Sequence, residues 1–157
     1  MADLAAAAHV SKPHIDIVVL DTNVCLDLFV FRDPRAQSLH DALHSGRLQA
    51  VTRADCRAEW QAVLAYPRLA LNATAQQQAA ADYDALLQEC SAPLADEPLP
   101  LCRDADDQKF LELAGTARAS ILFTRDAELL RLARRTAARF AILTPESWRA
   151  THDLASA

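Results

Sequence analysis

Four short apolar runs punctuate this chain, and helical patterns fill the spaces between them. Residues 15–20 follow Pro13, are rich in β-branched side chains, and read as a buried strand. Residues 48–51, 120–123 and 140–143 repeat that signature. Asp21-Thr22-Asn23 offers capping groups, so a helix is predicted over 24–31. A second follows the Asp33-Pro34 break, covers 35–45 and stops at Gly46. Thr52 can cap a third over 53–65, ending near Pro67. A long fourth helix starts at Asn72 or Thr74 and runs to about Cys90 on its Ala/Gln content, with Tyr83, Leu86 and Leu87 on one face. Residues 91–101 hold three prolines and predict an extended connection, with room for a short strand. Helices over 104–114 and 126–138 and a final turn from Thr144-Pro145-Glu146 complete the pattern.

Short apolar strands alternating with helices imply a parallel sheet covered on both faces. The fold class is therefore α/β, a three-layer α/β/α sandwich around a central parallel sheet. The chain's 157 residues suit one domain, expected over 15–150 between a flexible N-terminal tail (1–14) and a C-terminal tail (151–157). No internal repeat is visible.

Composition narrows the picture. Apolar residues make up 52% and charged ones 24%, which excludes a disordered chain. The net charge of -5 means that any nucleic-acid contact comes from a local basic patch rather than from the whole surface. Cys25, Cys56, Cys90 and Cys102 form no C-x-x-C pair, so a zinc ribbon or redox motif is not expected. Three of them (Cys25, Cys56 and Cys90) read as small buried hydrophobes, in keeping with a reducing, cytoplasmic setting. No run has the length of a membrane span, and the alanine-rich start lacks the basic region of a signal peptide.

The chemistry lies in acidic residues at element ends. In a parallel sheet, functional groups gather beyond the carboxyl ends of the strands. Asp21 directly follows the first strand and Asp126 follows the 120–123 strand. Asp107 sits in the first turn of the helix before that strand. Glu59 lies about two turns into the third helix, where helical phase alone does not fix the side it faces. Carboxylates gathered at one edge repel one another unless they hold a cation. A hard divalent ion, Mg²⁺ or Mn²⁺, would take two or three of them and activate water for attack on a phosphodiester. Asp21, Asp107 and Asp126 are the candidate ligands. Asn23, Asp104 and Thr124 could support them by orienting a ligand or a water. Any one aspartate taken alone reads as a helix cap. Asp104 does so most clearly, with Asp107 at the acidic third position, and Asp106 reads as solvated.

Four segments carry a family resemblance. They are Val18-Val19-Leu20-Asp21-Thr22-Asn23-Val24, then Glu59 with Val63-Leu64-Ala65-Tyr66-Pro67, then the stretch from Cys102-Arg103-Asp104 to Leu113-Ala114, and Ile121-Leu122-Phe123-Thr124-Arg125-Asp126 with the residues to Leu130. In this order they resemble the PIN-domain proteins, and within them the toxin components of bacterial toxin–antitoxin systems. The resemblance spans about residues 15–148. It implies a Mg²⁺- or Mn²⁺-dependent ribonuclease acting on single-stranded RNA, with Asp21, Glu59, Asp107 and Asp126 as the catalytic acidic set and Asn23 beside them. It also implies a homodimer, and a small antitoxin whose C-terminal segment blocks the acidic pocket. Many relatives have glycine where this chain has Arg125, a side chain that could crowd the pocket or contact phosphate. A nuclease acting on structured DNA and a catalytically silent binding module are the competing classes.

Three further patterns qualify the reading. Arg131 and Arg135 share a face of the helix predicted over 126–138, where they could hold an RNA backbone or simply form a solvated face. His40-Asp41-Ala42-Leu43-His44 resembles H-E-x-x-H, but Asp is a methylene shorter than Glu and no third ligand is evident, so it reads as a solvated helix face. Leu26, Phe29, Val30, Leu39 and Leu43 could supply a dimer surface, although core packing accounts for most of them.

Overall fold

In the computed structural model, which describes residues 15–93 and 98–156, strand β1 (Asp16–Leu20) lies at the middle of the sheet. The chain continues through α1 (Thr22–Phe29), α2 (Gln37–His44), β2 (Leu48–Thr52), α3 (Ala54–Leu64), α4 (Ala73–Leu86) and β3 (Leu87–Glu89). After the connection come α5 (Gln108–Thr116), β4 (Ile121–Phe123), α6 (Ala127–Leu130), α7 (Ala133–Thr136), β5 (Ala141–Leu143) and α8 (Pro145–Ser156). The strand order among the described residues is β3-β2-β1-β4-β5, and every pairing is parallel.

Alternation along the strands explains the three layers. Val18, Leu20 and Phe123 face one side, packing with Val24, Leu28, Leu39, Trp60 and Tyr83. Val19, Leu122 and Ile142 face the other, packing with Phe110, Leu111, Leu113 and Leu129. The sheet is thus apolar on both faces, and helices cover both. Phe29, Leu39 and Leu43, which the sequence offered for a dimer surface, are buried in the first of these cores. Gly46 ends α2 with φ +80°, a left-handed conformation that glycine adopts without strain.

Three elements depart from the expected pattern. The fourth helix stops at Leu86 rather than Cys90, because Leu87–Glu89 pairs with Ala50–Thr52 as an edge strand. Sheet pairing overrides local helix propensity there, and the strand falls before the proline-rich connection rather than inside it. The helix expected over 126–138 is broken into α6 and α7. Leu132 and Arg135 donate backbone hydrogen bonds three residues back, to Leu129 and Leu132, and these tight turns shift the helical phase. The final turn grows into α8, which takes in residues 151–156 of the expected C-terminal tail. The tail expected over 1–14 lies outside the described residues.

Candidate active site at the carboxyl edge of the sheet

Strand order places the site. The chain leaves β1 on one side toward β2 and returns on the other at β4, so β1 and β4 flank the point where the winding reverses. A crevice opens beyond the carboxyl ends of strands at such a point. Leu20 pairs with Phe123, and the Asp21 N–H donates to the Phe123 carbonyl at 2.9 Å, which extends the pairing past the strand ends. Asp21 and Thr124 therefore stand side by side at the crevice.

Asp21 is 3% exposed, and Thr124 is fully buried. The Thr124 hydroxyl donates to Asp21 Oδ2 at 2.7 Å and accepts from the Asp126 N–H at 2.9 Å. One hydroxyl thus ties the ends of β1 and α6 together. Asp21 occupies the N-cap position of α1 yet makes no side-chain capping bond. Its carboxylate is turned to Thr124 instead. Asp126 does cap, accepting from the N–H groups of Glu128 (2.7 Å) and Leu129 (3.3 Å) through Oδ1. Its Oδ2 takes no part in the capping.

The two candidates on the fourth segment separate in the same way. Asp104 accepts from the Asp106 N–H at 3.0 Å and caps the short turn before α5. Asp107 stands at the N-cap of α5 with no side-chain capping bond. Glu59 is half-buried. Its carboxylate accepts from the Thr22 hydroxyl and pairs with Lys109 Nζ at 2.9 Å. Helical phase left the direction of Glu59 open, and these contacts aim it at α1 and α5. Neither Thr22 nor Lys109 stood out in the sequence. A hydroxyl beside a strand-end aspartate is unremarkable, and Lys109 is just one more charge in the first turn of an amphipathic helix.

Electrostatics couple these residues. Burial pushes the Asp21 carboxyl up to about 6, against the Thr124 and Thr22 hydrogen bonds, and the charges of Glu59 and Asp126 add to the rise. Asp107 is pushed up to about 7 by burial and by Asp21, Asp126, Asp104 and Glu59. Asp107 is less buried than Asp21 but rises further, because no hydrogen bond to its carboxylate offsets the repulsion. The four aspartates and Glu59 thus share one field.

The donor set is all carboxylate oxygen, which suits a hard ion such as Mg²⁺ or Mn²⁺. As the side chains stand, no three His, Cys, Asp or Glu groups among the described residues are drawn together tightly enough to enclose a metal. Hydrogen bonds from Thr22, Thr124 and Lys109 hold Glu59 and Asp21 where they are.

The remaining sequence candidates fall outside this cluster. Asn23 is exposed in the first turn of α1, and no hydrogen bond joins it to the acidic residues. Arg125 is committed elsewhere. Its Nε donates to Asp27, and its Nη1 donates to both oxygens of Glu146 at 2.7 and 2.8 Å. Asp27 is a polar residue inside the apolar run of α1 and is buried, so a fixed cation stabilises it. Arg131 pairs with Glu128 at 3.0 Å on the surface, and Arg135 is exposed on α7. These two arginines do not lie on a single helix, because the chain turns between α6 and α7. No helix among the described residues is long and apolar enough to cross a membrane.

A family model described as a PIN domain matches residues 17–128, from β1 to the start of α6. No curated protein matches the chain.

Proposed function

This chain belongs to the PIN-domain family, whose fold is of the nuclease type and generally metal-dependent, and from that premise we propose that it is a Mg²⁺- or Mn²⁺-dependent endoribonuclease acting on single-stranded RNA. The observation that carries this reading is Asp21. Its carboxyl group is buried at the reversal point of the sheet, held by Thr124, within the field of Asp126 and Glu59, and its own charge acts on Asp107.

Asp21 and Asp107 would hold the ion, with Asp126 completing the set. A bound divalent ion supplies charge neutralisation, polarisation of a phosphoryl oxygen and a bound water of lowered pKa. The chain's own groups do the rest. Thr124 fixes the Asp21 carboxylate in one orientation and braces the turn that presents Asp126. Lys109 neutralises Glu59, so this carboxylate sits beside the cluster without adding a full uncompensated charge. Glu59 and Asp126 complete the acidic cluster and act partly through water.

Resemblance of the four acidic segments supports the finer assignment. On that basis the protein acts in the cytoplasm as the toxin of a toxin–antitoxin pair, as a homodimer, held silent by a small antitoxin whose C-terminal segment fills the acidic pocket. Arg131 and Arg135, both exposed beyond Asp126, are cations that an RNA backbone could meet, Arg131 by giving up its pairing with Glu128. Arg125 contributes through Asp27 and Glu146 rather than through phosphate.

The test is cleavage of single-stranded RNA and DNA by the full chain with Mg²⁺ or Mn²⁺. RNA should be cut, EDTA should abolish the activity, and Asp21→Asn should lower it by about a hundredfold or more. A folded Asp21→Asn protein that cleaves as fast as the parent would refute the mechanism. Preferential cleavage of DNA would refute the substrate class.

A further inference from the structure

His40 and His44 sit one turn apart on α2, at the opposite edge of the sheet from the acidic cluster. Helix α2 leads into the start of β2, and α4 leads into the start of β3, so the ends of these helices mark the amino edge. The two Nε2 atoms are 3.1 Å apart, whereas the ring centres are 4.2 Å apart. The rings therefore lean together at their Nε2 edges. They open onto a cavity of about 410 Å³ lined also by Leu28, Phe29, Arg32 and Asp82.

We propose that His40 and His44 form a second metal site, separate from the acidic cluster, that takes a borderline divalent transition ion such as Zn²⁺ through both Nε2 atoms. The spacing fits. An ion about 2.0–2.1 Å from each nitrogen would see them at about 100°, between the right angle of an octahedral site and the wider angle of a tetrahedral one. Imidazole selects Zn²⁺, Ni²⁺ or Cu²⁺ over Mg²⁺, so the two sites differ in the ions they take.

Free of metal, one imidazole N–H donates to the other ring. Coordination needs both lone pairs, so the donor ring moves its proton from Nε2 to Nδ1. Burial and the neighbouring His44 lower the pKa of His40, which keeps its lone pair available near neutral pH, with Asp41 and Asp82 pulling the other way. Asp82 lines the same cavity and supplies the favourable charge, although one of its oxygens already accepts from Gln78 at 2.8 Å. Arg32 opposes it. No third protein ligand closes the site among the described residues, so water completes the shell.

The test is a Zn²⁺ titration of the full chain, followed through the imidazole ¹⁵N signals. At one equivalent the donor ring should change to the Nδ1–H tautomer and the Nε2 signals of both His40 and His44 should shift together on coordination, equally in Asp21→Asn. His44→Gln replaces an exposed side chain, so the fold should survive it. That variant should weaken the response at His40 by about tenfold or more. Unmoved His40 and His44 signals while Zn²⁺ binds elsewhere would overturn the site. So would a His40 response that is the same with or without His44.

Discussion

Two sets of carboxylates meet the turn that follows β4, one at Arg125 and the other at Thr124 and Asp126, and they are handled in opposite ways. Asp27 and Glu146 are joined by the Arg125 guanidinium, which bridges α1 and α8. Burial pushes Glu146 up, but the hydrogen bonds from Arg125 and Thr144 and the Arg125 charge together outweigh it and leave Glu146 below the usual carboxylate range. On the other side stand Asp21 and Asp107, where burial and like charge win and both carboxyls rise. Lys109 is bonded to Glu59, and no salt bridge to Asp21, Asp107 or Asp126 forms among the described residues. Charge that only stabilises a fold is neutralised by the fold itself. Charge left uncompensated at a crevice marks a candidate site for something that binds there.

The difference is sharpest when each set is broken. Arg125→Ala strands Asp27 in the core without its partner and unlinks α1 from α8. It should cost about 3–5 kcal/mol in chemical denaturation. Asp21→Asn removes one of several mutually repelling groups and, without divalent ions, should leave stability unchanged or higher. A mild Arg125→Ala would mean that the guanidinium is not the counter-ion its geometry indicates.

A smaller effect appears as pH dependence. Asp21 and Asp107 keep their protons in the folded state at pH values where the unfolded chain, near 3.8, has released them. The folded state then binds more protons than the unfolded one, so stability falls as pH rises from about 4 through about 6–7. Asp21 alone accounts for about 2–3 kcal/mol of this fall. Denaturation midpoints with EDTA across that range should drop in the parent and stay flatter in Asp21→Asn. Saturating Mg²⁺ should reduce the parent's drop, because an ion bound only by the folded state offsets the repulsion. Equal slopes in the parent and in Asp21→Asn would remove Asp21 from the cluster.

Much of this was legible from the residues. The runs ending in Asp21 and Asp126 are apolar strands followed by polar capping groups, a signal strong enough to set the α/β class and both ends of the crevice. β3 was hidden because Leu87-Gln88-Glu89 carries no alternation and continues a helical composition. Its strand state comes from pairing with β2, a contact no local pattern records. Asp104 and Asp107 look alike in sequence, and what separates them is one backbone N–H that Asp104 accepts and Asp107 does not. Arg125 reads as a free cation beside a catalytic aspartate. Its partners come from α1 and α8, so only tertiary structure reveals that it is already occupied.

Binding of Mn²⁺ to the full chain, counted by its electron paramagnetic resonance signal, tests the acidic cluster without needing to know the RNA. The expected result is one tightly bound Mn²⁺ per chain, displaced by Mg²⁺, lost in Asp21→Asn and retained in His44→Gln. A folded parent that binds no Mn²⁺, or an Asp21→Asn protein that binds it as well as the parent, would contradict the proposal that these carboxylates are gathered to hold a metal ion.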